Sequence, residues 1–364
     1  MRFDNRFKPM VLLMLLCSFL VMSTGAAAEA KITIKDGVLI SYRGDEVNVK
    51  IPEEVRVIGA DLPIEYVTNS RSDITYEVGA FSKHHEIETV RIPESVEKIG
   101  TYAFYGCTGI KSLSLPPKLK TLGDYCLAAC LSLTEIELPE SLTELGEWSF
   151  MVCKSLKEIT IPGSVKRISE AAFYGCENLK SANIEIGVEE IGSGAFKHCK
   201  SLEELSLPDG LKIVEGGAFS DCTSLRAVVI PDSVWFLSNN VFTNCTSLES
   251  VILPKNIDII YDGLFRGCSS LKEVELKEGL VEIEWSAFEA CTSLSNINLP
   301  EGLKIIHEEA FRGCTLLEKI NIPESVEFIH YNAFNGCNKL TIYCVENSYA
   351  HRYALQKGIP FQLI

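Results

Sequence analysis

The acidic balance of this chain, 49 Asp and Glu against 34 Lys and Arg over 364 residues, excludes nucleic acid as a partner, because phosphate binding needs clustered cations. Its length alone would predict two or three separately cored domains. The pattern inside it predicts something else. Arg2, Arg6 and Lys8 precede an apolar run over residues 11–22, and Gly25, Ala26, Ala27 and Ala28 then offer a small-residue cleavage site. This order is that of a secretory signal peptide over residues 1–28. Its removal takes away three cations and Asp4, so the formal charge moves from −15 to −17. Leu16 stands before Cys17 where lipidation needs a small residue, so no lipid anchor is expected. No later stretch approaches the ~20 apolar residues of a membrane helix. The mature protein is expected to be soluble, secreted or at the cell surface, without membrane insertion.

Residues 29–80 read as an N-terminal strand cap carrying an insertion. Ile32, Ile34, Val38 and Ile40, then Val47, Val49 and Ile51, alternate at period two around turn signals at Asp36-Gly37 and Arg43-Gly44-Asp45. Ile51-Pro52 and Ile58-Gly59 match Ile92-Pro93 and Ile99-Gly100, yet the next expected Phe arrives only at Phe81. Residues 60–78 are therefore predicted to be an inserted surface loop.

From Phe81 one module repeats. Phe104, Phe150, Phe173, Phe196, Phe219, Phe242, Phe265, Phe288, Phe311 and Phe334 lie on a 23-residue grid that Leu127 completes. A fixed period of 20–29 residues with apolar residues at set offsets predicts a leucine-rich solenoid over residues 81–339. The expected fold class is an α/β solenoid, rich in β structure, wound as a right-handed superhelix of short parallel strands with one helical turn per coil. Within a coil, Glu158-Ile159-Thr160-Ile161 alternates as a strand, and Pro162 ends it because proline cannot donate to another rung. Residues 164–168 read as a second short strand, and residues 170–175 as the helical turn that carries Ala172 and Phe173 inward. Eleven of the fourteen cysteines recur three residues after the ladder position, from Cys107 to Cys337. Equivalent side chains in stacked coils point in parallel, which suits free buried thiols better than disulfides. Residues 340–364 leave the grid as a C-terminal cap, with Ser348 and Gly358 delimiting a short helix and a last strand after it.

The motif Leu-x-x-Ile-x-Ile-Pro-x-Ser-Val-x-x-Ile-x-x-x-Ala-Phe-x-x-Cys, over residues 156–176, resembles the BspA-like leucine-rich-repeat family of bacterial surface and secreted proteins. Asp36-Gly37-Val38-Leu39 and the segment through Tyr343-Cys344 and Ser348-Tyr349-Ala350 resemble that family's ends. The resemblance implies an extracellular solenoid used in adhesion, with host matrix proteins among its partners, and it implies no catalysis. It does not extend to an anchoring domain, so it implies export without fixing attachment.

No nucleotide loop, nucleophile elbow, zinc-protease motif or calcium loop occurs, and no cofactor or metal is expected. Glu284, His307 and His330 share one column in three successive coils, but three ligands on a flat face fall short of a site. Partner binding has better candidates. Ala227, Val229 and Ile252 interrupt an otherwise polar outward strand face. Phe236 and Ile259, with Trp235 beside them, belong to a column that is apolar in the C-terminal half and charged in the N-terminal half. The expected function is an exported, non-enzymatic binding or adhesion protein that recognises an extracellular protein or glycan. A structural, self-associating surface component is the alternative, and a hydrolase the remote one.

Overall fold

The computed structural model describes residues 31–59 and 79–364, so the expected signal peptide and the expected inserted loop lie outside the described residues. Each coil is built from the alternation seen in the sequence. In the strand Glu158–Ile161, Ile159 and Ile161 are buried while Glu158 and Thr160 face outward; after Pro162 the chain turns into a second strand, Arg167–Ile168. Equivalent strands stack in parallel with the 23-residue offset as their register. Glu158 pairs with Ser181 and Ser181 with Glu204; Arg167 pairs with Glu190, Glu190 with Ile213, and Ile213 with Phe236. A one-residue slip would turn every Ile outward, so the apolar alternation fixes that register.

The stack is continuous, but its ladders are segmented. Second strands form one six-stranded sheet, which begins with the N-terminal hairpin, and two four-stranded sheets; first strands form sheets of two, three, three and four strands. The hairpin pairs Lys31–Lys35 with Val38–Arg43 through Asp36 and Gly37, both at positive φ, as a two-residue turn of the I′ type requires. At the other end the helix Tyr349–Lys357 is capped by Ser348, whose Oγ accepts from the His351 amide, and by Gly358 in the left-handed region. Tyr353 closes edge-on over Phe334, the last rung of the Phe column.

The third side of each coil departs from the expected helical turn. Ala171 and Gly175 both have positive φ, 50° and 71°, and they bracket Phe173. The amides of Ala172, Tyr174 and Cys176 bond three residues back within the coil, whereas those of Ala171, Phe173 and Gly175 bond carbonyls of Ser193, Ala195 and Lys197 in the next coil. A helix would spend all these donors internally. The observed turn directs alternate amides outward and so creates a third inter-coil ladder, which is why the described residues contain little helix.

Inside, the Phe rings stack at centroid spacings from 5.1 Å to 6.0 Å, with Leu127 filling the one rung that lacks a ring. Beside them, all eleven column thiols donate to the carbonyl of the ladder residue one coil earlier, from 2.9 Å at Cys107 to 3.3 Å at Cys222. All thirteen described cysteines are free. Cysteine at this offset therefore supplies a small apolar body and a weak donor to a carbonyl.

Three measurements check this account. Phe219→Ala empties the rung between Phe196 and Phe242, and urea unfolding should show a loss of about 3–5 kcal/mol. Burial pushes the Cys107 and Cys153 thiols up to about 12. In the unfolded chain a thiol ionises near pH ~8.5. Below that value both states keep it protonated; above it ionisation favours the unfolded chain, and the penalty grows with pH until the folded thiols titrate, then stays at its full value. The urea midpoint should therefore fall between about pH 8 and about pH 10, and iodoacetamide should label the column only after denaturant is added.

Candidate binding surfaces

Because the strands alternate, every outward residue of a first strand joins a column that runs the length of the solenoid. On this face Val229 and Ile252 are direct cross-strand partners, 61% and 55% exposed, and Ala227 pairs with Ser250 beside them. The three residues read as an apolar island are thus contiguous. Trp235, Phe236 and Ile259 belong to the second-strand side. Trp235 is 64% exposed, and Phe236 and Ile259 are half-buried. Ala227, Val229 and Ile252 share one first-strand sheet, whereas Phe236 and Ile259 lie in two different second-strand sheets and Trp235 just precedes the strand of Phe236.

The second-strand stripe is also less continuous than its column implies. Strand pairing stops between Phe236–Leu237 and Ile259–Ile260, which end and begin different sheets. Phe236 instead meets Tyr261 edge-on, with centroids 5.6 Å apart. One coil further on, Glu282 stands in register between Ile259 and Ile305, and its carboxylate bonds the His307 ring. The apolar face is divided at both places.

That bond also settles the geometry of the metal candidate. His307 Nε2 is engaged by Glu282, His330 Nδ1 lies 2.5 Å from Asn332 Oδ1, and Glu284 Oε2 accepts from the Asp262 amide at 3.0 Å. Each side chain turns to a partner off its own column. Among the described residues no three His, Cys, Asp or Glu converge as metal ligands.

A hollow on the first-strand face was not singled out by the sequence. It is a groove of about 870 Å³ that crosses the coils from Glu137 to Ala227. Glu137, Glu158, Glu203 and Glu204 supply its charge, and Thr160, Asn183 and Ser206 its neutral polar groups. Thr160, Asn183 and Ser206 stand in one register column, so hydroxyl, amide and hydroxyl repeat at the strand spacing of ~4.8 Å. Its columns were legible as polar residues in the sequence. The hollow they line depends on the stacking of coils, which periodicity does not encode.

No helix among the described residues is long and apolar enough to cross a membrane. In comparisons with known proteins, no curated protein matches the chain. A leucine-rich repeat protein of Bacteroides ovatus ATCC 8483, known as a crystal structure, is 25% identical over 95% of this chain and 100% of that one, with a TM-score of 0.61. A leucine rich cell surface protein of Faecalibacterium prausnitzii A2-165 is 24% identical over 93% and 99% of the two chains, with a TM-score of 0.44. A leucine-rich repeat protein of Eubacterium ventriosum ATCC 27560 is 21% identical over 86% and 93%, with a TM-score of 0.48. The BspA-type leucine-rich-repeat region, in six copies, matches residues 75–203, 189–301 and 235–356, which together span most of the chain. On that match the chain belongs to the BspA-type leucine-rich-repeat family.

Proposed function

We propose that the protein is an exported, non-enzymatic binding protein that recognises an extracellular protein or glycan through its solenoid surface. The observation that carries this reading is the exposed first-strand face, where Val229 and Ile252 stand more than half exposed on a backbone whose register is fixed coil by coil. A surface held this way enters a complex with little ordering left to do, and exposed apolar side chains on it supply contact energy. Membership of a family of surface repeats supports the same reading. The segment before residue 29 supports export through its charge and apolar order.

Self-association is the second reading, favoured by the partly exposed column of Ile213, Phe236 and Ile259 with Trp235 beside it. One experiment addresses both. The mature chain is immobilised and offered matrix proteins and mucin glycans, next to a Val229→Glu, Phe236→Glu, Ile252→Lys variant whose fold is checked by circular dichroism. Capture by the parent with a loss of about tenfold or more in the variant is the expected result. Equal capture by both would remove the apolar patches from the binding surface. If neither captures a ligand while the parent sediments as a concentration-dependent assembly, self-association replaces the proposal.

A further inference from the structure

Some of the acidic groups on this surface are paired with a cation from coil to coil, and others are not. Several carboxylates are matched by a cation one coil away, among them Glu97 with Lys120, Glu189 with Lys212, Asp232 with Lys255, Glu249 with Lys272 and Glu327 with Lys304, all at 2.5–2.7 Å. Arg167 serves both Glu190 and Glu215. In the first-strand groove four glutamates share one concavity that no Lys or Arg lines. Among the described residues none of the four has a cation within the 4.0 Å of an ion pair. Lys157 and Lys180 line an adjoining hollow of about 380 Å³ together with Glu135 and with Glu158, Glu203 and Glu204 of the groove, so Glu137 is the groove glutamate that does not border those lysines. A concave wall of one charge sign focuses field and raises the local concentration of the opposite sign.

We propose, on the basis of the binding reading above, that this groove receives a basic segment of extended polypeptide and sets its apolar neighbour against Ala227 and Val229. Three features of the groove choose that occupant. The carboxylates of Glu137, Glu158 and Glu204 select Lys or Arg side chains and repel acidic glycans and nucleic acid. The column of Thr160, Asn183 and Ser206 offers donors and acceptors at each coil, as the amides and carbonyls of a peptide backbone need. At its far end the groove meets Ala227, one residue from the buried Val228 and in the same strand as exposed Val229, so an apolar side chain follows the cations. Four coil steps separate the strands of Glu137 and Ala227, about 19 Å at ~4.8 Å each, and about six extended residues cover that length.

The test uses fluorescent, end-blocked heptapeptides on the full mature chain: Lys-Ser-Lys-Ser-Lys-Leu-Leu, its glutamate counterpart, and maltoheptaose as a neutral glycan. The groove variant is Glu137→Gln, Glu158→Gln, Glu204→Gln. Its control is Glu94→Gln, Glu301→Gln, Glu324→Gln, which removes the same charge from exposed positions outside the groove. We expect the lysine peptide to bind the parent and the glutamate peptide not to bind. Affinity should fall about tenfold in the groove variant and by less than about twofold in the control, and it should weaken steeply from about 50 mM to about 500 mM NaCl. Equal losses in the two variants would reduce the effect to overall charge and overturn the groove. So would maltoheptaose binding that survives in the groove variant, or a parent that binds no lysine peptide. If a matrix protein is captured by parent and groove variant alike, the general binding reading survives and the basic-segment proposal fails alone.

Discussion

Backbone hydrogen bonding between successive coils is the constraint on which the rest of this structure depends. Parallel strands stack at ~4.8 Å, and every other column must accept that interval. Phe rings do so by lying nearly parallel, their centroids offset to between 5.1 Å and 6.0 Å. Offset stacking is also the favourable arrangement for aromatic quadrupoles. A thiol fits beside them because it is small enough to repeat at that spacing and can still donate to the carbonyl one coil back. Larger polar groups would need partners that a dry column does not contain.

The third ladder shows how strongly this constraint acts. Its second left-handed position is occupied by glycine at Gly106, Gly175, Gly267, Gly313 and Gly336, but by Ala129, Val152, His198, Asp221, Asn244 and Ala290 in other coils, all with φ near 60°. A non-glycine residue there costs roughly 1–2 kcal/mol. Ala129 and Val152 accept that cost, and their amides reach Met151 and Tyr174 at 2.7 Å. Tertiary pairing overrides local preference at these sites. A helical turn was the natural reading of residues 170–175 because the sequence displays helix-compatible residues and hides the inter-coil donors that exclude a helix.

The same distinction separates what was legible from what was not. Ile159, Ile161, Pro162, Phe173 and Cys176 could be placed from the sequence because each does one job that its chemistry announces, and the 23-residue period states their register. Sheet breaks were not legible, since Leu237 and Ile260 have the same apolar character as strand neighbours that do pair. The engagement of His307 by Glu282 crosses columns, so stacking by offset pointed to His330 and Glu284 instead. The groove was hidden for a further reason. Glu137, Glu158 and Glu204 read as ordinary solvated residues until the coils bring them into one hollow.

Fold and recognition are consequently written in different columns. Inward residues are fixed by stacking, and a change there is felt through the rungs above and below. An outward residue meets only its lateral neighbours, so Glu can become Ser and return to Glu along one column, as it does from Glu158 through Ser181 to Glu204, without altering the register. Charge on such a surface has two stable arrangements: each carboxylate finds a cation one coil away, or unmatched carboxylates collect where water can still solvate them. The first arrangement neutralises the field at short range, whereas the second exports it into solution, where it attracts an oppositely charged partner. In this chain both occur, and four unmatched glutamates, Glu137, Glu158, Glu203 and Glu204, share the hollow that ends where the apolar shelf of Ala227, Val229 and Ile252 begins.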